Sequence, residues 1–289
     1  MSIRSARYNL LSLRNPKGLT FIPEERDAWA FLDAAGITSS RQQRAVIDLV
    51  RGLKHAQLWS KMKAIYPFVG GTATTHKFNL KDPRDADAAF RLSFSGGWTH
   101  ASTGADPNGT NAWANSFINP SNNLSFNSTH LSIYHRENRQ AADLYAVSMG
   151  ASVSTTNDGR LYILPREGQP AGNLSYVTIN KGNTTGDDFI SFSDTNNAAY
   201  YIASRTSINL LKAYRNSINT ATGTNSGTKL VNADIAIGAY NVKTTVNQPL
   251  YFTTCEIAFA TIGDGLSDTD ATNLYNIVQR YQTSLGRQV

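Results

Sequence analysis

The sequence predicts a mainly β protein: an antiparallel β-sandwich preceded by a helical hairpin and followed by a short helix. Three observations carry this. From about residue 64 turn signals recur at short spacing, from Gly70-Gly71, Asp82-Pro83 and Gly96-Gly97 through Pro107-Asn108-Gly109 and Asn157-Asp158-Gly159 to Gly263-Asp264-Gly265. Between them lie short apolar runs with strand-like alternation, over 89–94, 131–135, 161–164, 200–203 and 235–238. Helical periodicity is confined to the two ends, which leaves an antiparallel sandwich as the simplest arrangement of the middle.

Taken in order, residues 1–23 are basic and broken by Pro16, Gly18 and Pro23, so they read as an extended arm. Residues 24–63 read as an αα-hairpin. Pro23 and the acidic run Glu24-Glu25 favour a helix start, Trp29, Leu32 and Ala35 share one stripe, and Gly36 stops the helix. Ser39 with Gln42 resembles a capping box, and Val46, Leu49, Val50 and Leu53 follow at helical spacing. Residues 64–289 form the sandwich. Its closing helix is capped by Ser267 with Asp270 three residues on, carries Leu274, Ile277, Val278, Tyr281 and Leu285, and stops at Gly286.

With 40% hydrophobic and 10% aromatic residues, the 289-residue chain can bury a sizeable core, which excludes general disorder. The net charge is +6, and residues 1–63 hold 11 basic and 5 acidic side chains, so the whole excess lies there. Such a segment suits an acidic docking surface, with Arg4, Arg7, Arg14 and Lys17 as docking candidates; a solvated helix face fits it equally. The lone Cys255 excludes an intrachain disulfide and reads as a core residue, on one face with Ile257 and Phe259. Met1-Ser2-Ile3-Arg4-Ser5 has no signal-peptide pattern and no apolar run spans a bilayer, so synthesis in the cytoplasm is expected and membrane association is not.

Catalytic chemistry is sparse. Glycan-cleaving sandwiches need two closely spaced carboxylates, and the five glutamates, Glu24, Glu25, Glu137, Glu167 and Glu256, form no such cluster. His130 and His135 lack zinc spacing, and no nucleophile elbow, P-loop or dinucleotide fingerprint occurs. The expectation is a non-enzyme without cofactor or structural metal. Asp187, Asp188, Asp194 and Asp264 are the residues that can offer calcium oxygens, although loop aspartates usually serve turns. Aromatic rings beside amides suit sugars, which makes Trp98, His100, Asn111, Trp113, Tyr134, Arg136, Tyr214 and Tyr240 glycan-binding candidates. Core filling by Trp98 and Trp113 is the competing reading.

Two stretches resemble a family of phage and prophage virion structural proteins found in tailed phages, including crAss-like phages. One runs Leu58-Trp59-Ser60-Lys61-Met62-Lys63-Ala64-Ile65-Tyr66-Pro67-Phe68-Val69-Gly70-Gly71, then His76-Lys77-Phe78-Asn79-Leu80-Lys81-Asp82-Pro83-Arg84-Asp85 and Phe94 to His100. The other is Ala260-Thr261-Ile262-Gly263-Asp264-Gly265-Leu266 with the ending Leu285-Gly286-Arg287-Gln288. The sandwich itself is similar to the laminin-G and concanavalin-like jelly rolls. The resemblance implies a tail- or head-fibre-associated virion component with a lectin-like domain, located in the virion. Its implied partners are other virion proteins, copies of itself as a trimer, and a host cell-surface glycan, with no nucleic acid. A purely architectural capsid or tail protein and a polysaccharide depolymerase are the alternatives.

Overall fold

The structure, a computed structural model, describes residues 23–139, 145–153, 159–167, 172–182, 189–224 and 226–289. The arm before Pro23, with Arg4, Arg7, Arg14 and Lys17, lies outside them, as do Asp187 and Asp188.

The chain opens with helices α1 (Arg26–Ala34) and α2 (Ser40–His55). Then come β1 (Met62–Tyr66), the single turn α3 (Ala73–His76), β2 (Ser93–Ser95), β3 (Trp98–Ala101), β4 (Gly104–Pro107) and β5 (Trp113–Asn115). After the turn α4 (Pro120–Asn123) follow β6 (Thr129–His135), β7 (Met149–Ser152), β8 (Arg160–Leu164), β9 (Leu174–Lys181) and β10 (Ile190–Ser193). The last strands are β11 (Tyr200–Ser207), β12 (Leu210–Arg215), β13 (Ile218–Gly223), β14 (Ala236–Ile237), β15 (Tyr240–Lys243), β16 (Asn247–Leu250) and β17 (Ile257–Gly263), before helix α5 (Asp268–Leu285).

The strands form two sheets. The first has the order β13-β12-β11-β6-β17-β4-β3, with β1 also paired to β17. The second has the order β10-β9-β8-β7-β14-β5-β2, with β15 also paired to β7 and β16 paired to β15. Pairing is antiparallel except that β15 runs parallel to β7. Between the sheets lies the main core, where Leu131 and Ile133 of β6 meet Leu161 and Ile163 of β8 and Val177 and Ile179 of β9.

The outer face of the first sheet is covered by helices. The α2 stripe Ala45, Val46, Leu49, Val50 and Leu53 packs with Phe31 and Leu32 of α1, with Leu274, Ile277 and Val278 of α5, and with Tyr134, Tyr200, Ile202 and Phe259 of the sheet. Burying each of the larger aliphatic side chains contributes roughly 1.5–3 kcal/mol. The hairpin is thereby a third layer of the sandwich, with its apolar face used internally. Helix α5 begins with a reciprocal box between Ser267 and Asp270 and ends at Gly286, whose φ of 73° relieves the left-handed strain a side chain would meet.

Local expectations are corrected at three places. Ser39 starts α2, but its hydroxyl makes no cap bond; the Gln43 side-chain amide instead donates to Ile37 O at 2.8 Å and ties the interhelix loop. The run 89–94 is not one strand: Asn79 Nδ2 donates to Ala89 O (3.0 Å) and the Tyr66 hydroxyl to Phe90 O (2.7 Å), which takes carbonyls a ladder would need. A register shift between Ile257 and Phe259 separates their faces, so Ile257 joins the inter-sheet core while Phe259 joins the helix layer.

Candidate functional site

The β2–β5 end of the sandwich gathers Trp98, His100, Asn111 and Trp113. Asn108 organises the turn there: its Oδ1 accepts from the amides of Thr110, Asn111 and Ala112 at 3.0–3.2 Å. Asn111 Oδ1 accepts from Gly97 N and from Asn108 Nδ2, both at 2.9 Å. Trp98 Nε1 donates to Ser95 O (3.1 Å) and Trp113 O (3.2 Å). The Trp98 ring lies on Gly238, where a Cβ would come within 2.8 Å of it at an unfavourable φ of 88°. His76 Nε2 accepts from Gly71 N (3.2 Å), so its Nδ1–H donates to His100 Nδ1 at 2.9 Å and leaves His100 protonated on Nε2. Burial, with His100 and Arg287 adding repulsion, pushes His76 down to about 3.

These groups hold one another, and their polar atoms serve the turn. Trp98→Ala is therefore expected to destabilise the fold by about 3 kcal/mol, read by thermal unfolding.

Other candidates are placed apart from that cluster. Tyr134 is 1% exposed beneath α5, donating to Gln279 Oε1 (3.0 Å) and accepting from Val289 N (2.8 Å), so no ligand reaches its ring. Tyr214 is equally buried, its hydroxyl bonded to Asp268 at 2.6 Å. Arg136 pairs with Glu256 at 2.6 Å and donates to Arg287 O. Within 24–63, Lys54 pairs with Asp27, Arg51 with Glu25 and Asp48, and Lys61 with Asp270, which reduces the free charge of the hairpin.

Tyr240 leads to a different site. On β8 and β9, Leu161, Ile163 and Val177 point into the core, so Tyr162 and Tyr176 point out. Tyr240 and Val242 of β15 join them on the outer face of the second sheet, over Val147 and Leu164. Ring centroids lie 5.6 Å apart for Tyr162 and Tyr240, 6.4 Å for the stacked pair Tyr240 and Tyr251, and 5.5 Å for Tyr251 and Tyr145. Tyr145 is 52% exposed, and Leu250 of the neighbouring hairpin is also exposed. At the edge, the Tyr176 hydroxyl donates to Glu167 Oε1 at 2.5 Å, and Tyr176 is pushed up to about 12 by burial and by that carboxylate. Arg166 beside it donates to Asn173 and Asn138. The result is a face of tyrosine rings bordered by a carboxylate, a guanidinium and amides. Sequence reading singled out only Tyr240 of this group.

Nucleophilic and metal chemistry find little purchase. Cys255 is buried, accepts from Asn197 Nδ2 at 3.2 Å, and has its thiol pushed up to about 11 by burial, so it stays protonated. Asp194 accepts from Ser175, Tyr201 and Asn196 N and lies 3.3 Å from Arg215 Nε, which commits its oxygens within the sandwich. Among the described residues no group of three or more His, Cys, Asp or Glu can hold a metal ion, and no helix is long and apolar enough to cross a membrane.

No protein-family model and no curated protein matches this sequence. Solved structures do. A structure of botulinum neurotoxin type C, whose cell entry depends on interaction with two ganglioside molecules, aligns over 78% of this chain with a TM-score of 0.51 and 14% identity. The two share a two-sheet β-sandwich fold. Domain 4 of the arabinanase AbnA from Geobacillus stearothermophilus, in complex with arabinotriose, covers 74% of this chain and 98% of its own, at TM-score 0.48 and 14% identity. The binding domain of botulinum neurotoxin DC in complex with rat synaptotagmin II covers 76% of this chain at TM-score 0.49 and 13% identity. This chain spans about half the length of the toxin structures, 53% and 52%.

Proposed function

We propose that this protein is a non-catalytic carbohydrate-binding component of a bacteriophage particle, contacting host-surface glycan through the tyrosine face. The observation that carries the binding half is the asymmetry of the sandwich. One sheet is covered by helices, while the other presents Tyr145, Tyr162, Tyr176 and Tyr251 beside Glu167, Arg166 and Asn173. Ring faces can stack on the apolar faces of sugars, and the bordering polar groups can read hydroxyls. The fold shared with the toxin structure agrees with a binding role. A non-catalytic reading is supported by the carboxylates: Glu256 is matched with Arg136, Glu137 with Arg139 and Glu25 with Arg51. The virion location is motivated by the sequence resemblance over residues 58–100 and 260–288.

The test is a glycan array with the full chain, followed by titration of the best neutral and sialylated hits against Tyr145→Ala and Tyr162→Ala. Each variant is expected to bind at least about tenfold more weakly, as for a ring at the centre of a contact patch, with the melting temperature unchanged for the exposed Tyr145→Ala and lowered for Tyr162→Ala, which loses packing. An array without hits, or full affinity in both variants, sinks the tyrosine-face reading and favours an architectural protein. Mass spectrometry of purified particles tests the location separately; absence from mature virions overturns it.

A further inference from the structure

On the helix side, away from the tyrosine face, a cleft of about 540 Å³ opens between the end of α2, the turn Trp59–Lys61 and the first turn of α5. Its walls include Trp59, Lys54, Lys61, Gln57, Ser60 and Asp270. Trp59 is half-buried and fixed from behind: Lys81 Nζ donates to Trp59 O at 2.8 Å and sits 4.2 Å from the ring centroid, yet does not line the cleft. Lys54 Nζ is 5.4 Å from the same ring. Lys54 is oriented by Asp27 (2.7 Å) and Lys61 by Asp270 (2.6 Å). Lys54 and Lys63 both act on Lys81, so several ammonium groups gather beside Trp59, with Asp27 and Asp270 as ion-pair partners of Lys54 and Lys61. Lys81 registers this crowding: burial lowers its pKa most, and Lys54 and Lys63 lower it further against the pull of Asp27.

We propose that this cleft is a second binding site, for an acidic sugar: a ring bearing a carboxylate or a sulfate. A pyranose ring has an apolar face to lay on the indole, and its anion would meet the ammonium groups of Lys54 and Lys61. The Gln57 amide and the Ser60 hydroxyl stand at the rim to read ring hydroxyls. Two ammonium groups already near the indole make a cationic ligand unfavourable there, while an anion offsets the lysine repulsion. The site is separate from the tyrosine face, lies on the other side of the sandwich, and does not depend on that face binding anything.

The experiment uses the full chain and three probes: a galacturonate oligomer, a sulfated chondroitin disaccharide and a neutral galactose oligomer. Binding is followed by calorimetry and by tryptophan fluorescence. The expected result is binding of one or both acidic probes, at least tenfold tighter than the neutral one and weakened by added salt. Which acidic probe binds separates carboxylate from sulfate recognition. Trp59→Ala and Lys61→Gln each lose at least tenfold, Trp59→Phe keeps most of the affinity, and Tyr145→Ala binds like the parent. Equal affinity for the neutral probe, unchanged affinity in Lys61→Gln, or no binding at about 10 mM overturns the proposal. Should Trp59→Ala melt early, Lys54→Gln and Lys61→Gln, at partly exposed positions, carry the same decision.

Discussion

Arg287→Met is expected to lower the melting temperature by roughly 10 °C, from a loss of about 3–5 kcal/mol on breaking a buried charged hub. The guanidinium is 1% exposed. Nε donates to Gln282 Oε1 (2.5 Å), Nη1 to Phe68 O (2.8 Å), and Nη2 to Pro67 O (2.8 Å) and Ala258 O (3.0 Å). Longer bonds reach Ser102 O and Thr103 O, both at 3.3 Å. One side chain near the end of the sequence thus fastens α5, β17, the segment after β1 and the β3–β4 turn. It also grips the carbonyl of Phe68, a non-glycine residue held at φ 44°. Methionine fills much of the volume but removes the donors to Phe68 O, Ser102 O and Thr103 O, leaving Pro67 O and Ala258 O with only Tyr281 and Gln282, and that desolvation is the larger part of the loss. Lysine keeps the charge but has no planar fork to reach five carbonyls at once, so Arg287→Lys should recover less than half of it. Thermal unfolding of both variants checks the prediction; an unchanged melting temperature for Arg287→Met refutes it.

Acidification from pH 7 to pH 5 is expected to remove about 6 kcal/mol of stability, a large fraction of what a folded domain usually has. Three imidazoles are responsible. His76 and His135 are pushed down to about 3 and His130 to about 4, in each case chiefly by burial. In the unfolded chain each titrates near 6.5, so above that pH both states are neutral and stability is full. As pH falls below 6.5 the unfolded chain gains protons that the folded one refuses, and each imidazole withdraws about 2 kcal/mol by pH 5. The loss continues until the folded pKa values are reached. The bonds of His130 explain its neutrality: Nδ1–H donates to Asp264 O at 2.6 Å, so Nε2 accepts from the Thr261 hydroxyl at 2.9 Å. Thr261 in turn accepts from Ser132, and Ser132 from the Tyr200 hydroxyl. A second proton on the ring would reverse that chain. Carboxylates held below their usual range, such as Asp268 by Lys212 and Tyr214, lose their contribution only below about pH 4. Denaturant titrations at stepwise pH measure the slope, and His135→Leu should flatten it by about a third. A flat profile between pH 7 and 5 rules the account out.

The fold was legible where local patterns decide it. The stripe Val46, Leu49, Val50 and Leu53 announces α2, and Ser267 with Asp270 announces α5, because caps and helical stripes involve residues close in sequence. The separate faces of Ile257 and Phe259 were not legible, since the intervening register shift is set by the partner strand β6. The tyrosine face was hidden for the same reason. Tyr162, Tyr176 and Tyr240 are remote in sequence and meet only once β7, β8, β9 and β15 are in register. Trp98 attracted attention as a loop aromatic, but its position over Gly238 depends on a turn far along the chain. Tyr134 and Tyr214 are buried by α5, an element remote from both in sequence.

The pairing of β1 with β17 joins the beginning of the sandwich to its end, and β17 also lies beside β6. The centre of the first sheet is therefore built from strands far apart in the sequence. During synthesis β1 waits for its neighbour β17 for roughly 10–40 s, and β6 for roughly 6–26 s, at ordinary elongation rates. Folding of this chain is then dominated by long loop closures and belongs to the slow class of β topologies. The hairpin α1–α2 and the sequence-adjacent strand pairs β3–β4, β8–β9 and β11–β12 rest on local contacts, whereas the packing of α5 on α2 joins remote segments.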